Sequence, residues 1–192
     1  CSMKKIELVY KKILDELIEN RNKKLTQAGM AKGLNISLST VNMAINYLKK
    51  MNAVRVKNRS FEIVNGKKIL LYWASIRNLD KDIIYKTRVE KPVVEIEKNM
   101  PNDVIYGAYS GYKFLFHDVP ADYSEVYVYS GNIDEIKKRF KESKNEPNLF
   151  VLKKEVDKMS MAHLFIDIWN LKEWYAKDFL KAMEDKIYGI LE

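Results

Sequence analysis

The sequence predicts an α+β fold, with a basic helical N-terminal region followed by a mixed α/β region. Apolar residues recur at helical spacing through the first 51 residues, and a hairpin pattern follows. Residues 1–60 hold 13 Lys and Arg against 4 Asp and Glu, whereas residues 61–192 hold 21 against 22. The positive excess of the chain, +8 in total, therefore lies in the first region, as expected of a surface that binds a polyanion.

The composition excludes several other classes of protein. A single cysteine rules out an intramolecular disulfide framework, and the apolar runs are too short for a membrane-spanning helix. The chain opens with Lys4, Lys5 and Glu7 rather than with an apolar secretory leader, so we expect a cytoplasmic protein that does not associate with membranes. With 47% hydrophobic and 31% charged residues, it can form packed cores.

The N-terminal pattern predicts four helices and a hairpin. We expect helices over residues 5–19, from Thr26 to Gly33, from Ser37 to Met51 and over residues 67–77. Thr26, Ser37 and Asn65 are suitable N-caps, and Asn52 suits the left-handed position that ends a helix. The hairpin uses strands near residues 54–56 and 61–63, with residues 57–60 as its tip. Helix–turn–helix and hairpin together predict a winged helix-turn-helix domain at residues 1–78.

Residues 79–192 predict a small α/β domain. Strands are expected at residues 104–108, 125–129 and 148–152, with the first entering a tight turn at Ser110 and Gly111. Helices are expected at residues 92–99, 133–140, 162–170 and 172–191. Valine alternates with tyrosine from Val126 to Tyr129, which predicts a strand with valines on one face and tyrosines on the other.

The third helix carries the candidate site. Val41, Ile45 and Leu48 fall on one helical face and predict the core side. No acidic residue occurs between Glu19 and Glu62, so nothing in that stretch would repel phosphate. Amides suit adenine edges, a Met side chain can contact a thymine methyl, and cations or hydroxyls fix the register on phosphates. We expect base contacts from Ser39, Asn42, Met43 and Asn46, and phosphate or minor-groove contacts from Thr40, Lys49, Lys50, Lys57, Asn58 and Arg59.

Two resemblances support this interpretation. Residues 30–31, 34, 37–41, 45, 48 and 51–54 resemble the winged helix-turn-helix transcription regulators of bacteria and archaea. Residues 71–75, 107–112, 119–126 and 163–170 resemble the C-terminal domain of AbiEi-type antitoxins and their archaeal relatives. The resemblance implies a double-stranded DNA-binding regulator that represses its own operon, with a C-terminal domain for dimerisation, a toxin partner or a small-molecule effector.

Two alternatives stay open. The order strand, Gly/Ser turn, helix and strand is also that of nucleotidyltransferases, which hold Mg²⁺ with two carboxylates one residue apart. Here Ser110-Gly111 inverts the Gly-Ser order, and Asp122 and Glu125 are three residues apart, so such a scaffold would be degenerate. In the other alternative, the winged helix binds a protein and not DNA.

We expect no catalytic residues, no metal site and no cofactor, hence no enzyme. His117 and His163 are the only histidines and lack a metal-ligand spacing, and we expect His163 to be packed. The many aromatic residues after Tyr106 fit either core packing or an effector pocket. The apolar stripes of the first and last helices are broad enough for a subunit interface, so we expect a homodimer.

Overall fold

The computed structural model describes residues 3–192 and has an α+β fold with two small sheets. The described chain forms two compact units. The N-terminal unit comprises Met3–Arg77, Ser160–Ile166 and Met183–Glu192, and the central unit comprises Asn78–Met159 and Asp167–Ala182. This division differs from the predicted domains 1–78 and 79–192, because it assigns two C-terminal segments to the N-terminal unit.

The N-terminal unit combines helices with a three-stranded antiparallel sheet. Its strand order is β1-β3-β2, and Leu25 and Val56 both pair with Phe61. The predicted helices and hairpin are present, whereas β1 was not predicted because three residues carry too little pattern. The elements are α1 (Lys5–Asn20), β1 (Lys24–Thr26), α2 (Gln27–Leu34), α3 (Leu38–Lys50), β2 (Val54–Val56), β3 (Ser60–Ile63) and α4 (Gly66–Ile76).

The helix ends follow the predicted capping chemistry. The side chains of Thr26, Ser37 and Asn65 accept hydrogen bonds from the third backbone N–H of their helices. Asn52 adopts the left-handed conformation with φ 57°, as predicted. These caps fix where α2, α3 and α4 begin.

The core of the N-terminal unit includes residues of the C-terminal segments. The apolar stripe of α1 is buried within the chain, and the Tyr10 hydroxyl donates to the carbonyl of Ala44 at 3.1 Å. Buried His163 lies against the Trp73 ring, with centroids 5.9 Å apart. The prediction that His163 is packed is confirmed. The stripe of α1 is therefore not the subunit interface that the sequence suggested, because the chain itself covers it.

The central unit contains a four-stranded mixed sheet. The order is β4-β7-β6-β5, in which β6 and β7 are parallel and the outer pairs antiparallel. The edge strand β4 was not predicted, because its half-exposed alternation is short and includes Lys86. A 3₁₀ turn at Leu79–Asp82 precedes the first strand. The elements that follow are β4 (Ile83–Thr87), α5 (Val93–Lys98), β5 (Ile105–Gly107), α6 (Ala108–Phe116), β6 (Val126–Ser130), α7 (Ile133–Arg139), β7 (Leu149–Lys153), α8 (Met161–Trp169) and α9 (Ala176–Leu191). Helices α8 and α9 each contribute residues to both units.

The sheet separates valines from tyrosines, as predicted. Val126 and Val128 pack in one core with Ile96 and Ile136, which come from α5 and α7. Because side chains alternate along a strand, Tyr127 and Tyr129 lie on the opposite face of β6. Both tyrosines are buried.

The tight turn lies earlier than predicted. Ser110 and Gly111 are inside α6, whereas the chain turns from β5 into the helix at Gly107 and Ala108. Ala108 takes the left-handed conformation with φ 49°, so the turn occupies a backbone region that glycine usually fills. The prediction of a turn at Ser110 and Gly111 is wrong, because the composition favoured glycine and serine as turn residues.

Within residues 3–192, no helix is long and apolar enough to cross a membrane.

Candidate nucleic-acid interface

Helix α3 is held with one face inward and one face in solvent. Val41, Ala44, Ile45 and Leu48 are buried, which confirms the predicted core face. Ser37 fixes the start of the helix, because its Oγ accepts from the Thr40 N–H at 3.1 Å. The other face of the helix is therefore directed toward solvent.

The outward face is polar and free of acids. Six of the seven predicted contact residues on α3 are exposed, and Met43 keeps 48% of its surface accessible. The exposed residues are Ser39, Asn42, Met43, Asn46, Lys49 and Lys50. These side chains supply amides, a thioether and two ammonium groups on one side of the helix.

Thr40 differs from its neighbours. It is half-buried, and its Oγ1 lies 2.8 Å from Ser37 Oγ, within the hydroxyl cluster that caps α3. The Ser39 Oγ bonds to the same Ser37 Oγ, at 3.0 Å, but Ser39 is exposed, so of the two hydroxyls that of Ser39 is the more accessible to a phosphate.

The β2–β3 hairpin presents its tip to solvent. The Lys57 N–H donates to the Ser60 carbonyl at 2.7 Å and closes the turn. Lys57, Asn58 and Arg59 are exposed, as a contact role requires. Two cationic groups and one amide therefore lie within three consecutive residues.

Two further cations share the outer face of the sheet, and no pattern in the sequence singled them out. Lys24 and Arg55 both pair with Glu62 in the strand register, one from each neighbouring strand. The Glu62 carboxylate lies 3.5 Å from Arg55 Nη1 and 3.7 Å from Lys57 Nζ. One carboxylate thus faces three cations, and the sheet face keeps a positive balance. The position of Lys24 on this sheet face could have been predicted only if strand β1 had been predicted.

Two apolar side chains on α3 were also missed. Leu38 and Tyr47 keep 48% and 38% of their surfaces accessible, although apolar side chains usually face the core. The Tyr47 ring lies 6.5 Å from the Tyr72 ring of α4. Large apolar groups at the edge of a polar helix face are available for apolar contact with a partner.

The charge separation follows the units of the structure. The N-terminal unit carries 17 Lys and Arg against 8 Asp and Glu, while the central unit carries 17 against 18. The N-terminal unit therefore has a strong positive net charge even when its C-terminal segments are counted. A long-range attraction for polyanions belongs to this unit alone.

The central unit does not open a phosphate cradle at the β5–α6 turn. A Cβ on Gly107 would lie 3.1 Å from the Tyr129 ring and 3.6 Å from the Met159 methyl group. Both Ala108 and Ser110 are buried. Side chains therefore pack closely against the backbone at Gly107, and the two residues Ala108 and Ser110 are not accessible to a ligand.

The carboxylates near β6 do not form a pair one residue apart. Asp122 is exposed, and Glu125 is half-buried just before the strand. Burial, with a smaller effect from nearby Glu173, raises the pKa of Glu125. Within residues 3–192, no three His, Cys, Asp or Glu side chains are grouped as metal ligands.

Glu173 instead organises buried tyrosines. Its two carboxylate oxygens accept hydrogen bonds from the Tyr109 and Tyr127 hydroxyls, each at 2.8 Å. Burial and the Glu173 charge raise the pKa of both phenols, so they remain donors. Trp174, by contrast, is 75% exposed. Tyr109 and Tyr127 are therefore held inside the central unit, where they contribute to its packing.

Comparisons of the chain with models of protein families, with curated proteins and with solved structures found no match.

Proposed function

We propose that the protein is a sequence-specific DNA-binding transcription regulator. The observation that carries this proposal is the outward face of α3, which exposes Asn42 and Asn46 and contains no acidic residue. An exposed helix of this kind is what the major groove admits. The basic N-terminal unit supplies the electrostatic attraction that brings it to DNA.

The order of elements supports a winged helix. Three helices, with a short strand after the first and a hairpin after the third, give the sheet order β1-β3-β2. In a winged helix α3 is the recognition helix, and the β2–β3 hairpin is the wing beside it. The exposed tip residues Lys57 and Arg59 then stand where a wing contacts the backbone or the minor groove.

The proposed DNA contacts are of two kinds, those that read base sequence and those that position the protein on the phosphates. Asn42 and Asn46 can each pair with an adenine through two hydrogen bonds, and Met43 can pack on a thymine methyl. Lys49 and Lys50 lie in the last turn of α3 and suit phosphate, which fixes register without reading sequence.

A selection experiment with the full chain tests the proposal. A library of randomised duplexes is enriched by repeated binding, and the enriched sequence is then measured against random duplex by fluorescence anisotropy at two salt concentrations. We expect an enriched site whose preference survives the higher salt. Asn46→Ala should cost about 1–3 kcal/mol on that site and relax one position of it.

Matched variants separate the two kinds of contact. Lys50→Ala should weaken binding to all duplexes alike and reduce the salt dependence by about one ion. Lys138→Ala, an exposed lysine of α7 in the central unit, is the control and should change nothing. The proposal fails if no sequence is enriched, or if Asn46→Ala and Lys50→Ala have the same non-selective effect.

We further propose an autoregulating repressor of antitoxin type that acts as a homodimer. The support is the resemblance of residues 71–75, 107–112, 119–126 and 163–170 to AbiEi-type antitoxins. A two-fold dimer would enrich two half-sites about 10–10.5 base pairs apart, and the DNA upstream of its own gene should contain them. A single half-site bound by one chain would contradict the dimer.

A further inference from the structure

The central unit contains a cleft that the DNA-binding proposal does not use. Its volume is about 810 Å³, within the range typical of small-molecule sites. One row of the sheet forms its floor, since Lys86 pairs with Phe150 and Phe150 pairs with Tyr127 across neighbouring strands. The α8–α9 connection at Leu171 and Lys172 forms another part of its lining.

The floor of the cleft is a fixed aromatic pair. The Phe150 and Tyr127 rings are stacked, with centroids 4.6 Å apart and planes 10° apart. The Tyr127 ring cannot swing freely, because its hydroxyl donates to Glu173 Oε1 at 2.8 Å. Phe150 is half-buried, so part of its ring remains for a ligand. A planar ring would find a preorganised stacking partner here.

The lining carries charges of both signs. Lys86 and Lys172 contribute ammonium groups, and Asp80, Glu142 and Glu146 contribute carboxylates. Within residues 3–192, none of these five side chains takes part in an ion pair. Both signs of charge are thus available to groups on one ligand.

We propose that this cleft binds a small zwitterion with a planar aromatic ring, of the aromatic α-amino acid class. The ring stacks against Phe150, Lys86, which pairs with Phe150 across the strands, binds the carboxylate, and the carboxylates of the lining bind the ammonium. Ile83 and Leu171 complete the apolar walls. The proposal concerns binding in the central unit and does not depend on DNA binding by the N-terminal unit.

Calorimetric titration of the full chain tests each part of the ligand. L-tryptophan is the probe, and tryptamine, indole-3-propionate and L-leucine each lack one element: the carboxylate, the ammonium or the ring. We expect tryptophan to bind at micromolar to millimolar concentration and each analogue to bind roughly tenfold more weakly. Failure of tryptophan to bind at millimolar concentration overturns the proposal, as does equal binding of leucine, tryptamine or indole-3-propionate.

Protein variants locate the binding. Phe150→Leu should weaken tryptophan roughly tenfold, and Lys86→Met should weaken tryptophan but leave tryptamine unchanged. The matched control is Lys98→Met, from α5, which packs on the opposite face of the sheet. If Phe150→Leu prevents folding, the exposed Lys86 still decides the result. Binding that neither variant alters, or that the control weakens equally, places the ligand elsewhere and overturns the proposal.

Discussion

At the scale of single residues, Glu62 limits the positive charge of the candidate interface. Its carboxylate lies within 3.7 Å of both Arg55 Nη1 and Lys57 Nζ, on the exposed face of the sheet. Exposed ion pairs of this kind contribute little to stability, so replacement of Glu62 should change the free energy of unfolding little. Its main effect is electrostatic, because it offsets cations that could otherwise contact phosphate.

Replacement of Glu62 should therefore strengthen DNA binding. We expect Glu62→Gln to lower the Kd for random duplex by up to about tenfold at low salt, with a smaller gain at high salt. Fluorescence anisotropy at two salt concentrations measures this. Asp185→Asn makes the same charge change on α9 of the N-terminal unit and serves as the control. An equal gain in the control would show a net-charge effect instead.

Glu125 gives a prediction about pH. Burial raises its folded pKa above the ordinary value of 4.5, so the folded state binds its proton more tightly than the unfolded state does. The corresponding stability is complete below pH 4.5 and is lost as the pH rises through the folded pKa. The Gln side chain of Glu125→Gln stays neutral at every pH. The melting temperature of this variant should therefore rise relative to that of the wild type as the pH increases from 4.5.

Thermal melts from pH 4 to 8 test this, with the exposed Glu146→Gln as the control. A constant difference between Glu125→Gln and the wild type across this range would contradict the prediction. The exposed control should follow the wild type throughout.

At the scale of elements, the sequence predicted those whose signals are local. Capping residues such as Ser37 and Asn65, and the helical spacing behind them, place α3 and α4 to within one or two residues. Strands β1 and β4 were missed because their three and five residues become strands by pairing with distant partners, Phe61 and Phe150 among them. The same non-local pairing brings Lys24 to the sheet face, so that part of the candidate interface was invisible in the sequence.

The cap of α3 yields a prediction with two distinguishable readouts. Ser37→Ala removes the acceptor for the Thr40 N–H and should cost about 1 kcal/mol of stability, with little effect on DNA affinity at a temperature where the protein is folded. Ser37→Asp keeps an acceptor and should keep the stability, but it places a negative charge beside the exposed face of α3.

Urea unfolding and DNA titration of both variants measure the two effects. We expect Ser37→Asp to bind every duplex more weakly, because its charge repels phosphate. If Ser37→Asp binds DNA as well as the wild type does, the N-terminus of α3 does not approach the backbone.

At the scale of the whole molecule, the basic unit is not a continuous segment of the chain. Trp73 packs against His163, and a Cβ on Gly66 would lie 3.1 Å from the Leu191 carbonyl. The Lys67 ammonium lies 4.2 Å from the centroid of the Tyr188 ring. A charge change and a helix end near residue 78 suggested a boundary there, but periodicity cannot reveal which distant helix covers an apolar face.

A fragment of residues 1–78 should therefore not fold as the full chain does. It lacks His163, Tyr188 and Leu191, which lie against Trp73, Lys67 and Gly66, so apolar surface of α4 would meet water, at about 25 cal/mol for each Å² exposed. We expect circular dichroism of the fragment to show a broad melt at a temperature well below that of the full chain, and DNA binding to weaken with it. A fragment that melts cooperatively at the same temperature would show that residues 160–166 and 183–192 add nothing to this unit. Addition of a peptide of residues 183–192 should restore little, because α9 would have to fold and bind at the same time.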